Sequence, residues 1–228
     1  MANLLNMPNF LPRRLSQYVP ALTYCADVQL GGDGRISFGA PIVATAAQFV
    51  SAQSVAAAGS LQASAMLNSA TIDAPFGRNL TVVLSGAGTG TITVDGWDYL
   101  GQPMSETAAL NGATPVALKK AFKYLRQLTW PVVGAVTLNL GVGSQLGLPY
   151  KAIKVWTEEN NSAPVAAGTL TIADLTNPAT LTTGEPRGSY LATTALNGVA
   201  VVTATFAFAN DVDATGAGGL HGIPHFSN

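Results

Sequence analysis

The stretch NLTVVLSGAGTGTITVDGW at residues 79–97 decides the fold class of this chain. Its first part is a run rich in leucine and valine, and in its second part Ile92 and Val94 alternate with polar residues. Alternation with a period of two is the signature of a half-buried β-strand. The glycine-rich linker GAGTG at 86–90 favours a hairpin loop between the two strands.

Further strand-like segments follow along the chain, separated by turn signals such as Asn111-Gly112. In the last of them the apolar positions 202, 204, 206 and 208 share one face. About eight short strands spaced roughly 8–12 residues apart, with no amphipathic helix between them, predict an all-β protein with an antiparallel β-sandwich or jelly-roll-like body. The later segments are MSETAAL (104–110), AFKYLRQLTW (121–130), AVTLNL (135–140), KAIKVWTE (151–158), GTLTI (168–172) and VAVVTATFAF (199–208).

Residues 1–38 predict an extended N-terminal arm. Pro8, Pro12 and Pro20 recur at spacings that forbid a long helix and bias their predecessors toward extended conformations. Large apolar side chains lie between these prolines, and an extended segment cannot bury them against itself. The arm therefore needs a groove, on its own body or on a neighbouring subunit, for the side chains of Phe10, Leu11, Tyr18 and Leu22.

The rest of the chain divides into two parts. Residues 39–69 are predicted to be a connecting segment rich in alanine and serine, whose pattern fits either one short helix or extended chain. Residues 70–228 are predicted to form the β-sandwich body, ending in a docking segment around HGIPHF at 221–226.

The composition is typical of a protein that works in an assembly. Hydrophobic residues make up 48% of the 228 residues, charged residues only 10%, and the formal net charge is −1. An ordinary soluble domain has roughly 25% charged residues. Near-neutral charge argues against an electrostatic nucleic-acid binder. The single cysteine, Cys25, excludes an intrachain disulfide, and neither a signal peptide nor a membrane-spanning helix is expected.

No set of residues predicts catalysis or a cofactor. The run GVGSQLG at 141–147 departs from a dinucleotide-binding fingerprint and is interpreted as a loop after the strand at 135–140. His221 and His225 flank a glycine and a proline, so no helix presents them as a metal pair; a docking segment is favoured, and a metal site with Asp211 or Asp213 as third ligand is the weaker alternative. The adjacent Glu158 and Glu159 are expected to be solvated in a turn-like stretch. We therefore predict a non-enzymatic protein without a cofactor or metal.

Two groups of side chains leave alternatives open. The basic cluster Lys119, Lys120, Lys123 and Arg126 fits a solvated or salt-bridging surface, an interface with an acidic partner, or, as the weakest of the three, a phosphate site. Trp97, Trp130 and Trp156 are dispersed among the strands, which favours core or interface packing over a carbohydrate platform. Asp95 and Asp98 flank Trp97, and a turn role for Asp98 is favoured over a sugar or cation site.

The order of several short phrases resembles small virion proteins of tailed bacteriophages. The resemblance covers most of residues 70–228, and the N-terminal 70 residues of the chain lie outside it. The phrases are Arg78-Asn79 before a hydrophobic strand, the Gly96, Tyr99, Gly101 and Pro103 spacing with Glu106, Asn111-Gly112 with Thr114-Pro115-Val116, residues 119–123, GLPYKA (147–152), GEPRGSY (184–190), ALNGVAVVTATF (195–206) and GLHGIPHF (219–226).

This resemblance implies a capsid decoration (cement) protein, located on the capsid surface of the virion and assembled in the host cytoplasm. Its expected partners are the major capsid protein and further copies of itself, in a homodimer or homotrimer, with no nucleic acid and no membrane. A head-completion or tail-tube component is one alternative, and a glycan- or receptor-binding virion module built on Trp97, Asp95 and Asp98 is another. The resemblance carries over no catalytic residue.

Overall fold

The computed structural model describes residues 33–176 and 179–208. Those residues form fourteen β-strands in three antiparallel sheets, which confirms the all-β prediction and agrees with a β-sandwich. Their helical parts are two short 3-10 turns, Ala63–Ala65 and Leu67–Ala70. The strands are β1 (Asp33–Gly39), β2 (Thr45–Ser54), β3 (Gly59–Gln62), β4 (Arg78–Leu84), β5 (Thr89–Trp97), β6 (Pro103–Asn111), β7 (Val116–Ala117), β8 (Tyr124–Trp130), β9 (Thr137–Gly147), β10 (Ala152–Asn160), β11 (Ala163–Val165), β12 (Thr169–Thr171), β13 (Ser189–Leu191) and β14 (Val202–Phe208).

The three sheets enclose two hydrophobic cores. The terminal sheet has the strand order β1-β14-β10-β11, the central sheet has the order β12-β13-β9-β4-β7 with β2 also paired to β9, and the outer sheet has the order β3-β8-β5-β6. Strand β9 serves both cores: Leu138 and Leu140 lie in the core shared with the outer sheet, and Leu146 lies in the core shared with the terminal sheet. The central sheet is therefore the layer that holds the molecule together.

Strand β14 forms as its alternation predicts. Val202, Ala204, Phe206 and Phe208 are all buried, while the residues between them are partly exposed. The Phe206 ring meets the Tyr190 ring edge-on at a centroid distance of 5.1 Å, and Tyr190 stacks on Phe38 at 5.8 Å. Aromatic contacts of this kind add about 0.5–1.5 kcal/mol each beyond area burial. The terminal sheet is thereby fixed on the central one.

The predicted hairpin at the linker 86–90 is wrong. Strand β4 belongs to the central sheet, where it pairs with β7 and β9, and β5 belongs to the outer sheet, where it pairs with β6 and β8. Both strands bury their apolar residues in the same core from opposite sides. The four residues 85–88 that link the two strands span roughly 13 Å when extended, which is enough to cross the ~10 Å between packed sheets.

The predicted loop at 141–147 is also wrong, because those residues are the second half of β9. The glycines there serve close backbone approach. A Cβ atom on Gly141 would lie 1.7 Å from the carbonyl oxygen of Thr45 in β2, and one on Gly143 would lie 2.2 Å from Oδ1 of Asn79. Only glycine allows a neighbouring strand and a polar side chain to pack this near to the backbone.

The boundaries predicted for the arm and the connecting segment need correction. Residues 33–38, assigned to the arm, lie in β1, which pairs with β14 from Asp33↔Ala207 onward. Residues 39–69, predicted as a connector, supply β2 and β3, and Phe49 and Val50 lie in the core. The body thus includes residues from 33 onward. Small side chains in this segment permit the tight contact with β9 that periodicity alone does not reveal.

Candidate functional site

The basic cluster predicted from the sequence does not form one exposed patch. Lys120 is fully buried, and its Nζ donates to the carbonyl oxygens of Ser105 at 2.9 Å and Thr180 at 2.6 Å. Lys119 donates from Nζ to the carbonyl oxygen of Thr182 at 3.0 Å. The interface prediction is therefore wrong for Lys120, and the chain itself binds the ammonium group of Lys119.

The other two cations of the cluster lie apart from this pair. Lys123 donates from Nζ to the carbonyl oxygens of Ile72 and Ala74 at 2.6 and 2.8 Å, and burial lowers its pKa. The exposed Arg126 guanidinium lies 3.4 Å from the Asp95 carboxylate. Arg126 is the member of the predicted cluster whose charged group is most available to a partner.

Glu106 in β6 organises the backbone around the two lysines. Its carboxylate accepts hydrogen bonds from the backbone nitrogens of Lys119 at 2.7 Å and Lys120 at 2.8 Å. The side chain is almost completely buried. Burial raises the pKa of Glu106 to about 7, against the opposing effect of the two backbone N–H groups and the lysine charges.

The segment 172–188, of which 177 and 178 are not described, lies against the lysines and is held by charged side chains of its own. Asp174 accepts from the backbone nitrogen of Gly184 at 2.7 Å, and this bond, followed by those from Thr176, lowers the pKa of Asp174 to about 2. Glu185 accepts from the backbone nitrogen of Ala121 at 2.8 Å. Asp174 thus closes the segment on itself, and Glu185 fastens its C-terminal part to the body.

A buried ion pair closes the same region. Arg187 lies 2.9 Å from Asp98, and both side chains are almost fully buried. The other carboxylate oxygen of Asp98 accepts from the backbone nitrogens of Leu100 and Gln102, each at 2.8 Å. The turn role expected for Asp98 is confirmed, and its carboxylate is buried and does not contribute to a surface site.

A hollow of about 350 Å³ lies between the 172–188 segment and the central sheet. Its polar lining includes Lys119, Gln145, Asp174, Glu185 and Ser189. These groups already bond to one another or to the backbone, for example Ser189 Oγ to Gln145 Oε1 at 2.6 Å. Within the described residues no group of three or more His, Cys, Asp or Glu side chains is arranged to hold a metal ion.

The Arg78-Asn79 pair of the phage-like phrase has a structural role. The fully buried Arg78 donates to the carbonyl oxygen of Gly143 from Nε at 3.0 Å and lies 3.1 Å from the Asp73 carboxylate. Burial lowers its pKa, and the Asp73 charge opposes that effect. Asn79 accepts from the backbone nitrogen of Gln145 at 2.9 Å. Both side chains fasten β4 to the glycine-rich half of β9.

Glu158 was expected to be solvated, and that expectation is wrong. Its carboxylate is fully buried and accepts hydrogen bonds from Tyr190 Oη at 2.5 Å and from the backbone nitrogens of Thr193 and Thr194 at 2.9 and 2.8 Å. Burial favours the neutral acid, but these bonds outweigh it and lower the pKa of Glu158. The carboxylate holds the turn after β13 against β10.

A second hollow, of about 190 Å³, opens on the solvent face of the outer sheet. Asp95, Trp97, Ser105 and Arg126 line it, and the Ser105 hydroxyl is buried without a hydrogen-bond partner. An aromatic ring beside planar charged groups is chemically suited to sugar hydroxyls. The other two tryptophans lie in different environments. Trp130 is buried in the core that the central sheet shares with the outer sheet, whereas Trp156 is 47% exposed.

Exposed large apolar side chains are concentrated in the sequence range 153–201, where few of the exposed residues are charged. Nine of the exposed large hydrophobic side chains lie there, and the charged residues of this range that are not buried are Lys154, Glu159 and Asp174. Exposed apolar side chains with few charges among them favour an interaction site over a solvated face. The nine are Ile153, Trp156, Val165, Ile172, Leu175, Leu181, Leu191, Val199 and Val201.

The remaining predicted residues lie outside the described ranges. They include the arm side chains Phe10, Leu11, Tyr18 and Leu22, together with Cys25, Asp211, Asp213, His221 and His225.

Sequence reasoning missed the buried charges Glu106, Glu185 and Arg187. One signal was present in the sequence. In a chain with so few charged residues, the charges within a glycine- and proline-containing turn such as GEPRG at 184–188 indicate a structural role for these side chains. A buried carboxylate that accepts backbone N–H groups is the physical alternative.

Comparison with known proteins gives no relative. No family model, no curated protein and no solved structure matches the chain. Within the described ranges, no helix has the length and apolar character needed to cross a membrane.

Proposed function

We propose that the chain is a non-enzymatic structural protein of a tailed-bacteriophage virion, which decorates and stabilises the capsid as a cement protein. The observation that carries the proposal is the set of nine exposed large apolar side chains within residues 153–201, combined with a chain of which only 10% is charged. Such a surface is suited to permanent contact with other subunits. The order of sequence phrases that resembles phage virion proteins indicates that the assembly is a phage particle.

The place where the N-terminal segment joins the body supports an arm. Asp33, the first residue of β1, pairs with Ala207 near the end of β14. Residues 1–32 and 209–228 therefore join the body at the same end of the terminal sheet. Thirty-two residues reach about 100 Å if fully extended, which is enough to cross a neighbouring subunit. Phe10, Leu11, Tyr18 and Leu22 are the side chains proposed to bind there.

The proposed mechanism is mass action. A protein that binds the assembled shell and not its free subunits shifts the equilibrium toward the shell. A symmetric lattice repeats the same site many times, so an oligomeric binder gains from effective concentration even where each contact is weak. The body has two hydrophobic cores and is rigid, so it loses little conformational entropy on binding.

The arm is tested by substitution in the full chain. Replacing Phe10, Leu11, Tyr18 and Leu22 with alanine should abolish co-sedimentation with empty heads of the phage that encodes the chain, because the apolar contact area is lost. Replacing the polar residues Asn3, Asn9 and Gln17 of the same segment with alanine is the matched control, which should sediment like the wild type. Equal sedimentation of both variants would refute the arm.

A glycan-binding virion module is the second candidate, favoured by the hollow at Asp95, Trp97, Ser105 and Arg126. Its Asp98 component is ruled out, because that carboxylate is buried against Arg187. A glycan-array signal that disappears in Trp97→Ala and persists in Trp156→Ala would support this candidate. Absence of any signal from the wild-type protein would remove it.

A further inference from the structure

Among the described residues, strand β1 is an open edge of its sheet. It lies at the end of the terminal sheet, where β14 is its one neighbour among the described strands. Along Asp33–Gly39 the backbone makes no hydrogen bond to a second described segment on the side away from β14. The strand has seven residues and pairs in continuous register from Asp33 to Ser37. An edge of this kind offers a row of unpaired N–H and C=O groups to another strand.

The other edges of the described sheets are short, irregular or covered. Strand β6 is covered, since Thr107 donates its backbone N–H to the carbonyl oxygen of Leu181 at 2.9 Å. Strand β2 is broken by register shifts, and Asn68 binds the carbonyl oxygen of Gln48 at 2.6 Å. The edge strands β3, β7, β11 and β12 have two to four residues each. These differences single out β1.

The charges on β1 do not guard its free edge. Side chains of Asp33 and Arg35 cross over β14 toward β10, where Asp33 accepts from Trp156 Nε1 at 2.6 Å and Arg35 pairs with Glu159. Edge strands that avoid pairing usually keep charges directed into the space that a new strand would occupy. Here the charged groups are already bound on the sheet face, so the backbone edge is left accessible.

We propose that β1 pairs with β1 of a second copy, in antiparallel orientation across a two-fold axis, so that two terminal sheets become one. With Ile36 opposite itself, residues 33–39 of the two copies face one another, with the β1 bulge between Ser37 and Gly39 at each end, and Arg35 lies opposite Ser37 of the second copy. The register shifted by one residue places Arg35 opposite Arg35, which like-charge repulsion disfavours. The register centred on Gly34 overlaps only the three residues 33–35 of the described strand.

This interface specifies the self-association that the proposed function includes, but it does not depend on a capsid. Dimerisation is measured on the purified protein alone, whereas attachment is measured on particles. A failure of one measurement therefore leaves the other unaffected.

The test places like or opposite charges at the proposed contact in the full chain. Ser37→Arg puts two arginines opposite each other twice per dimer, and we expect the dimer Kd to rise about tenfold. Ser37→Glu, the matched control at the same exposed position, faces Arg35 and should bind as tightly as the wild type or tighter. Combining Ser37→Arg with Arg35→Gln removes the like charge, keeps an N–H donor for Glu159 and should restore the dimer.

Sedimentation velocity over a range of concentrations gives the oligomeric state and the Kd, and urea midpoints of the three variants confirm equal folding. A wild-type protein that stays monomeric at the highest concentration would overturn the proposal. So would a trimer, because antiparallel edge pairing closes at two copies, and so would a dimer whose Kd responds equally to arginine and glutamate at position 37.

Discussion

The buried Lys120 makes the sharpest prediction about what holds the 172–188 segment. In Lys120→Met the apolar stem is retained, but the carbonyl oxygens of Ser105 and Thr180 lose their donor. Each hydrogen bond from the charged ammonium group contributes about 1.5–3 kcal/mol, and the lysine attraction to the buried Glu106 carboxylate is lost as well. Relief of the lysine's own desolvation offsets part of this, because burial already lowers its pKa.

We expect the free energy of unfolding to fall by about 3 kcal/mol, and the melting temperature by about 6–12 °C for a chain of this length. Urea denaturation followed by tryptophan fluorescence gives the first quantity, and calorimetry gives the second. Lys119→Met is the matched control: the residue is exposed and donates to the carbonyl of Thr182, so its loss should cost less than about 1 kcal/mol. Equal stability of Lys120→Met and the wild type would refute the reasoning.

Three further predictions concern single side chains. Burial raises the Glu106 pKa to about 7, above its ordinary 4.5. The protonated side chain therefore contributes stability in acid, and this contribution is lost as the pH rises through 7. The urea midpoint should accordingly fall between about pH 5 and pH 8, and it should fall less in Glu106→Gln. Tyr190→Phe removes the hydroxyl that donates to Glu158, and the free energy of unfolding should fall by about 2 kcal/mol in urea titrations, a loss that an unchanged midpoint would contradict. Gly141→Ala forces a methyl group into the Thr45 carbonyl and should cost at least about 3 kcal/mol or prevent folding, so a soluble variant with wild-type melting would show that β2 and β9 are not in this contact.

Strand content was predictable where one face is buried and the other is not. The alternation in β5 and β14 follows directly from that half-burial. Sheet membership was not predictable, because a short glycine-rich linker joins strands within a sheet as readily as it crosses between sheets. The linker at 86–90 does the second, and only the tertiary pairing of β4 with β9 decides it.

The candidate site was harder to predict than the fold. Sequence alone treats Lys120 and Glu158 as surface charges, because a charged side chain is seldom fully buried. Both are buried since backbone carbonyl or N–H groups from distant segments satisfy them, and those segments meet only in the folded chain. The predicted boundary of the arm was wrong for a related reason. The alternation of Ile36 and Phe38 is too short to predict a strand directly after a proline-containing segment. The strand forms because β14, which is distant in the sequence, pairs with it.

The measurement that tests the central claim most directly is quantitative mass spectrometry of purified particles of the phage proposed to encode this chain. The account predicts that the chain is present in intact particles at a copy number comparable to that of the major capsid protein, and that heads lacking it rupture at lower temperature. Absence of the chain from the particles would contradict the account, and a copy number far below that of the capsid protein would point to a head-completion or tail component.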